Sequence, residues 1–320
     1  MDATSTNWVA VPAISITNFW VKMNALDFIH PDDAAALQAL KNIPIFPTVM
    51  EKVFQYGLDE IQWSENVTTN LRLSESQLPE IYKHLPPICQ KLGIQIPELY
   101  LQISPIPNAW TSGNSRVYIV VTMGLIRRFK EEELTAVLAH ECGHILCQHV
   151  LYSMLANSLY NLGDFFVESI VGQIGSVAMK PLKQALMTWS RASELTADRV
   201  ASFITSADTM TKVLAKLEGI PKTILNDMDY DAWTAQGADY ESLKNGNSWK
   251  KIIRYMANTD LDHPYGPVRA YEIHQWENSW QYKQLKSQIK LIDGGKRCPQ
   301  CGNLIDEAWG FCKNCGNKLN

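Results

Sequence analysis

A mainly helical α+β fold is predicted for this chain of 320 residues, with a small edge-exposed β-sheet and a separate cysteine module at the C-terminus. Three observations predict it. Apolar residues recur at helical spacing in several segments, most clearly in the one that runs from Glu131 into Ala139-His-Glu-Cys-Gly-His144. Two short stretches, Pro97–Ile103 and Arg116–Thr122, carry the apolar alternation or apolar run of strands. Four of the seven cysteines, Cys298, Cys301, Cys312 and Cys315, crowd behind the hinge-like sequence Asp293-Gly-Gly-Lys-Arg.

In chain order, Pro31–Leu40 reads as a short helix, because proline and two aspartates open it and helix formers follow. Thr48–Leu58 reads as a second, with Val49, Val53 and Phe54 on one side. Ser74–Leu92 reads as a third, bent or divided at Pro86-Pro87. A turn at Pro105–Asn108 separates the two strands. Glu131, Glu132 and Glu133 then open the helix that carries the two histidines, where the helix dipole favours acids. Further helices are expected at Leu151–Ser158, Gly163–Met179, Lys183–Ser206, Asp208–Leu217 and 268–290, with a mixed region over 222–260. The expected organisation is an N-terminal helical segment over residues 1–70 packed on a main domain of 71–290, a linker of 291–297 and a module of 298–320.

Hydrophobic residues make up 46% of the chain and charged residues 19%, the balance of an ordinary globular protein. A net charge of -4 and the lack of a long Lys/Arg block give no reason to expect nucleic-acid binding. No basic and apolar leader opens the chain, and no stretch reads as a clear transmembrane span. Ile145–Gly163 is uncharged but holds Gln148, His149 and two asparagines. Residues 145–180 are therefore expected to cover a cleft or to touch a membrane as amphipathic helices. The expected location is the cytoplasm, with peripheral membrane association as an alternative.

His140 and His144 lie four residues apart on a helix, so both rings leave one face about a turn apart. Two imidazoles so placed can share one zinc ion, and Glu141 on the adjacent edge can take a proton from a water molecule there. Gly143 is read as removing bulk near the metal-facing surface. His149 is close enough to be considered as a third ligand, but it reads better as a polar residue on the same helix. Glu194 is the stronger candidate. Asp198, one turn on, can hold the tautomer of a ligand histidine. Cys298-Pro-Gln-Cys301 and Cys312-Lys-Asn-Cys315 have the spacing of four thiolates around a closed structural zinc site, and metal would then supply the folding energy of so small a unit.

Glu132–His144, Arg191–Arg199, Pro107–Gly113 with Val117–Leu125, and His263–Arg269 together resemble the gluzincin family that contains the HtpX heat-shock protease and the CAAX prenyl endopeptidase. The last 23 residues are similar to zinc-ribbon modules. The resemblance implies a soluble-type zinc metalloendopeptidase acting on protein or peptide substrates, with one catalytic and one structural zinc. His140, His144 and Glu194 would bind the catalytic zinc and Glu141 would be the general base. His263 would lie near the metal and stabilise the oxyanion, and Asn108 with its strand would engage the substrate backbone. Arg269 would support the His263 segment from behind the site. The alternative is a catalytically weak scaffold that binds protein partners through the cleft and the ribbon.

Overall fold

A computed structural model describes residues 23–55, 58–114, 116–161, 176–242, 265–293, 298, 300, 310–312 and 315–319. Lys22–Leu285 form one compact unit, and Lys286–Asn320 belong to another. The first unit is mainly helical, with one four-stranded sheet.

Helix α1, Pro31–Lys41, starts where it is expected. His30 caps it by accepting from the Asp32 amide, and Pro31 needs no amide partner at this position. Helices α2, Phe46–Gln55, and α3, Leu58–Thr69, follow. The expected helix Thr48–Leu58 is the first of these, and α3 was not anticipated. Strand β1, Leu71–Leu73, precedes the helix expected over Ser74–Leu92. That helix is two short ones, α4, Pro79–Tyr82, and α5, Leu85–Leu92. Pro86 and Pro87 sit in the first turn of α5, where a missing amide costs nothing. They therefore start a helix and do not kink one.

The sheet is formed by β1 with β2, Glu98–Gln102, β3, Ala109–Ser112, and β4, Tyr118–Thr122, in the order β1-β2-β4-β3. Strands β2 and β4 pair in parallel, with Leu99 opposite Ile119. Strands β1 and β3 run antiparallel to their neighbours and form the two edges. Both faces of β4 are buried, which explains its continuous apolar run. The β3–β4 turn requires Gly113: its φ is 94°, and a Cβ there would lie 2.0 Å from the Arg116 carbonyl oxygen.

Thr122 ends β4 and caps the short helix α6, Met123–Arg128, by accepting from the Leu125 amide. Helix α7, Glu131–Leu146, carries the two histidines and is buried along most of its length. Helix α8, Val150–Asn161, follows after a break. Helix α9, Ser176–Ile204, is a single long helix that runs through Pro181. The expected helix Gly163–Met179 lies mostly outside the described residues. Helices α10, Ala207–Leu217, α11, Lys222–Asp227, α12, Tyr230–Glu241, α13, Gly266–Asn278, and α14, Trp280–Asp293, complete the element order. The described part of the region expected to be mixed is thus largely helical.

Two side-chain clusters hold the frame around α9. Leu40, Phe46 and Val49 of the N-terminal helices pack with Leu155 of α8 and Leu182, Leu186 and Trp189 of α9. Phe28, Phe203, Trp276 and Tyr282 form a chain of ring contacts with centroids 4.9–5.9 Å apart. Gly143 has a different role from the one expected. A Cβ on it would lie 3.0 Å from Val200 Cβ and 3.1 Å from Ala197 Cα. The missing side chain lets α7 and α9 approach closely, and this brings Glu194 to the histidines. Among the described residues, no helix is long and apolar enough to cross a membrane.

In the C-terminal unit, the Gly316 amide donates to the Cys312 carbonyl, and the Cys312 amide donates to the Asn317 carbonyl. Gly316 has a φ of 73°, so the chain turns tightly beside the sulfurs.

Candidate active site

Helix α7 presents His140 and His144 on one face, and α9 lays Glu194 across them. The two Nε2 atoms are 3.1 Å apart. Glu194 Oε2 is 3.4 Å from His140 Nε2, and Oε1 is 3.3 Å from His144 Nε2. All three residues are buried and line a cleft of about 1030 Å³. The donor set fits zinc. Two nitrogens each about 2.0–2.1 Å from one ion at a tetrahedral angle are about 3.3 Å apart, and a carboxylate opposite them completes three protein ligands.

The residues around this triad determine how it is presented. Asp198 Oδ1 lies 3.0 Å from His140 Nδ1. An ionised carboxylate there accepts a hydrogen bond from Nδ1–H, which keeps the hydrogen on Nδ1 and leaves the Nε2 lone pair toward the cleft. Arg269 holds Asp198 with two hydrogen bonds of 2.7 Å, from Nε and Nη2, and places Nη1 3.2 Å from Glu194. The guanidinium is thus directed at the two carboxylates. Burial opposes ionisation of Asp198, but Arg269 and then His140 outweigh it and hold the carboxyl below its usual range. Burial likewise opposes protonation of His140, yet Asp198 and Glu194 raise its pKa to about 10. The pocket therefore favours positive charge at the point where the three donors meet.

Glu141 leaves the same helix on the adjacent edge and is tied to the sheet. Thr111 Oγ1, on edge strand β3, donates to Glu141 Oε2 at 2.6 Å. Thr111 was not singled out in the sequence. A threonine in a short stretch of half-buried residues carries no signal of its own, and only the approach of β3 to α7 reveals it. Asn108 stands just before β3. Its amide donates to Thr122 Oγ1, and its side-chain oxygen accepts from the Ala109 amide. It lines the cleft together with β3. His263 lies outside the described residues.

His149 is also placed differently from expectation. Helix α7 ends at Leu146, and Gln148 takes a φ of 60°, so His149 folds back toward α7. Its Nδ1 comes within 3.1 Å of His144 Nδ1, and its Nε2 lies 3.1 Å from Asp33 Oδ2.

The second cluster is formed by Cys298, Cys312 and Cys315, whose sulfurs lie within 4.8 Å of one another. Cys298 and Cys315 sulfurs are 3.6 Å apart, close to the roughly 3.8 Å expected for two thiolates bound to one tetrahedral zinc. Cys301 lies outside the described residues.

Residues 75–277 match Peptidase family M48, and residues 294–319 match a zinc-ribbon domain. The plastoglobule-localized metallopeptidase 48 of Arabidopsis thaliana is 33% identical over 267 residues, which cover 82% of this chain and 76% of that protein. A protease HtpX homolog of Pelotomaculum thermopropionicum is 34% identical over 142 residues, 43% of this chain and 50% of that protein. The solved structure of S. mikatae Ste24p is similar with 16% identity and a TM-score of 0.40, covering 76% of this chain and 62% of that one. The chain belongs to peptidase family M48 and carries a C-terminal zinc-ribbon domain.

Proposed function

We propose that this member of peptidase family M48 is a zinc-dependent endopeptidase, with His140, His144 and Glu194 as the metal ligands and Glu141 as general base. One observation carries the reading. Three metal-binding side chains converge in a cleft, and Glu141, next to His140 on α7, is held beside them by the edge strand.

When bound there, zinc would polarise the scissile carbonyl and acidify the attacking water. Glu141 then removes a proton from that water and passes it to the leaving amine. Thr111 fixes one oxygen of Glu141 and leaves the other for the proton. Asp198 keeps His140 turned, and Arg269 keeps Asp198 ionised. Strand β3 ends the sheet beside the cleft, so an extended substrate can pair with its outer edge. Asn108 stands at the start of that edge and is proposed to take part in substrate binding. Protein and peptide substrates follow from the strand edge, which recognises backbone.

Residues 71–290 are proposed to be the peptidase domain, joined by 291–297 to a ribbon of 298–320. Cys298, Cys301, Cys312 and Cys315 would hold a second, structural zinc in that ribbon.

Chelation tests the reading. Casein hydrolysis by the full chain is expected to stop when metal is removed with 1,10-phenanthroline and to return on adding zinc. Undiminished hydrolysis by the metal-free chain would refute the proposal.

A further inference from the structure

Asp33 on the N-terminal helix and His149 lie behind the proposed zinc site, and the role assigned to them rests on that site. Asp33 is in the first turn of α1, outside residues 75–277 that match the peptidase family. An aspartate in a helix's first turn is ordinarily exposed. This one is buried, as are His149 and Thr196. Thr196 Oγ1 donates to Asp33 Oδ2 at 2.6 Å and accepts from the His30 amide at 2.9 Å. Thr196 lies on α9 two residues after Glu194, so one stretch of α9 both holds Asp33 and offers Glu194 to the cleft. The ring of His149 packs edge-on to buried Trp189, with centroids 5.7 Å apart.

We propose that Asp33 and His149 are positioning residues that set the tautomer of His144. With His149 neutral, the bonds assign the protons along the chain. The Thr196 hydroxyl gives its hydrogen to Asp33, so that carboxylate acts as an acceptor there. An acceptor 3.1 Å from His149 Nε2 requires the hydrogen on Nε2. Neutral His149 then has a lone pair on Nδ1, and His144 Nδ1, 3.1 Å away, must donate to it. His144 Nε2 is left with its lone pair toward Glu194 and His140 Nε2. Both nitrogens of His149 are engaged, so it is not a metal ligand. The arrangement repeats in two steps what Asp198 does for His140 in one. Each ligand histidine thus ends on a buried aspartate, one from α9 and one from the N-terminal helix.

Backbone geometry supports a dedicated role. Gln148 adopts the left-handed region, which a residue with a side chain rarely enters. That turn aims His149 back at His144. A continued helix would instead carry His149 away from it.

The test uses the full chain, zinc chloride and a competing chromophoric chelator. Asp33→Ala and His149→Phe are each expected to weaken zinc binding at the cleft site about 10- to 100-fold, while the ribbon zinc stays. Asp33→Asn, whose amide oxygen can still accept from His149, is expected to recover part of the loss. Because both residues act through one chain of bonds, the double variant is expected to lose no more than the weaker single. Unchanged affinity in the single variants, or losses that multiply in the double, would overturn the proposal. Imidazole nitrogen spectra of the zinc-loaded parent need no variant. They are expected to show His149 protonated at Nε2 and His144 at Nδ1, and His149 protonated at Nδ1 would equally overturn it. Glu194→Ala separates the two levels. If it leaves the cleft zinc in place, the site assignment itself fails. If it removes the zinc and Asp33→Ala does not weaken binding, only the positioning role fails.

Discussion

Glu141→Gln is expected to lower kcat for peptide hydrolysis by about 10²- to 10⁴-fold, the range for loss of a positioned acid–base group. Zinc content is expected to stay at the parent level. The substitution conserves shape, and Thr111 Oγ1 can donate to the amide oxygen as it does to the carboxylate. Glu141 is also not one of the three groups that converge on the metal position. The variant should therefore bind substrate with a KM near that of the parent and fail in the chemical step. A variant that lost its zinc would show Glu141 to be a ligand. One that kept full activity would remove it from the mechanism.

Arg269→Leu is expected to cost about 3–5 kcal/mol of stability, the range for removing one partner of a buried ion pair. Arg269 makes both of its short bonds to Asp198, which is fully buried, and a third contact to Glu194. Without the guanidinium, Asp198 retains only the His140 ring among the partners described above, and Glu194 loses a neighbour that fixes its orientation. Arg269→Lys should restore only part of the loss, since a single ammonium cannot make two parallel bonds to one carboxylate. Urea denaturation at constant zinc measures both. A change below about 1 kcal/mol for Arg269→Leu would mean that water replaces the guanidinium, and the buried network would then be unimportant to the fold.

The legible and illegible parts of this molecule divide by distance along the chain. His140 and His144 are readable because helical spacing alone puts them on one face. Asp198 follows Glu194 at the same spacing, so α9 could be matched to α7 before either was placed. Strand β4 is readable because burial on both faces leaves a continuous apolar run. What escaped depends on contacts between distant segments. His149 looked like one more residue of α7, because nothing in Cys147-Gln-His149 announces a left-handed turn at Gln148. Its partner Asp33 is on another helix altogether. Strand β3 is four half-buried residues without alternation, and only its pairing with β4 makes it a strand. The role of Gly143 was misassigned for the same reason, since the nearest atoms belong to Ala197 and Val200 of α9. Pro86 and Pro87 were read correctly as a break, but a proline pair marks a helix start as readily as a kink.

His140, His144 and Glu194 are proposed to hold a zinc ion distinct from the one in the ribbon. Zinc counting by mass spectrometry on the full chain and on Glu194→Ala tests it most directly. About two zinc ions per parent chain and about one in the variant, retained by the cysteines, are expected. Two in both, or one in both, would contradict it.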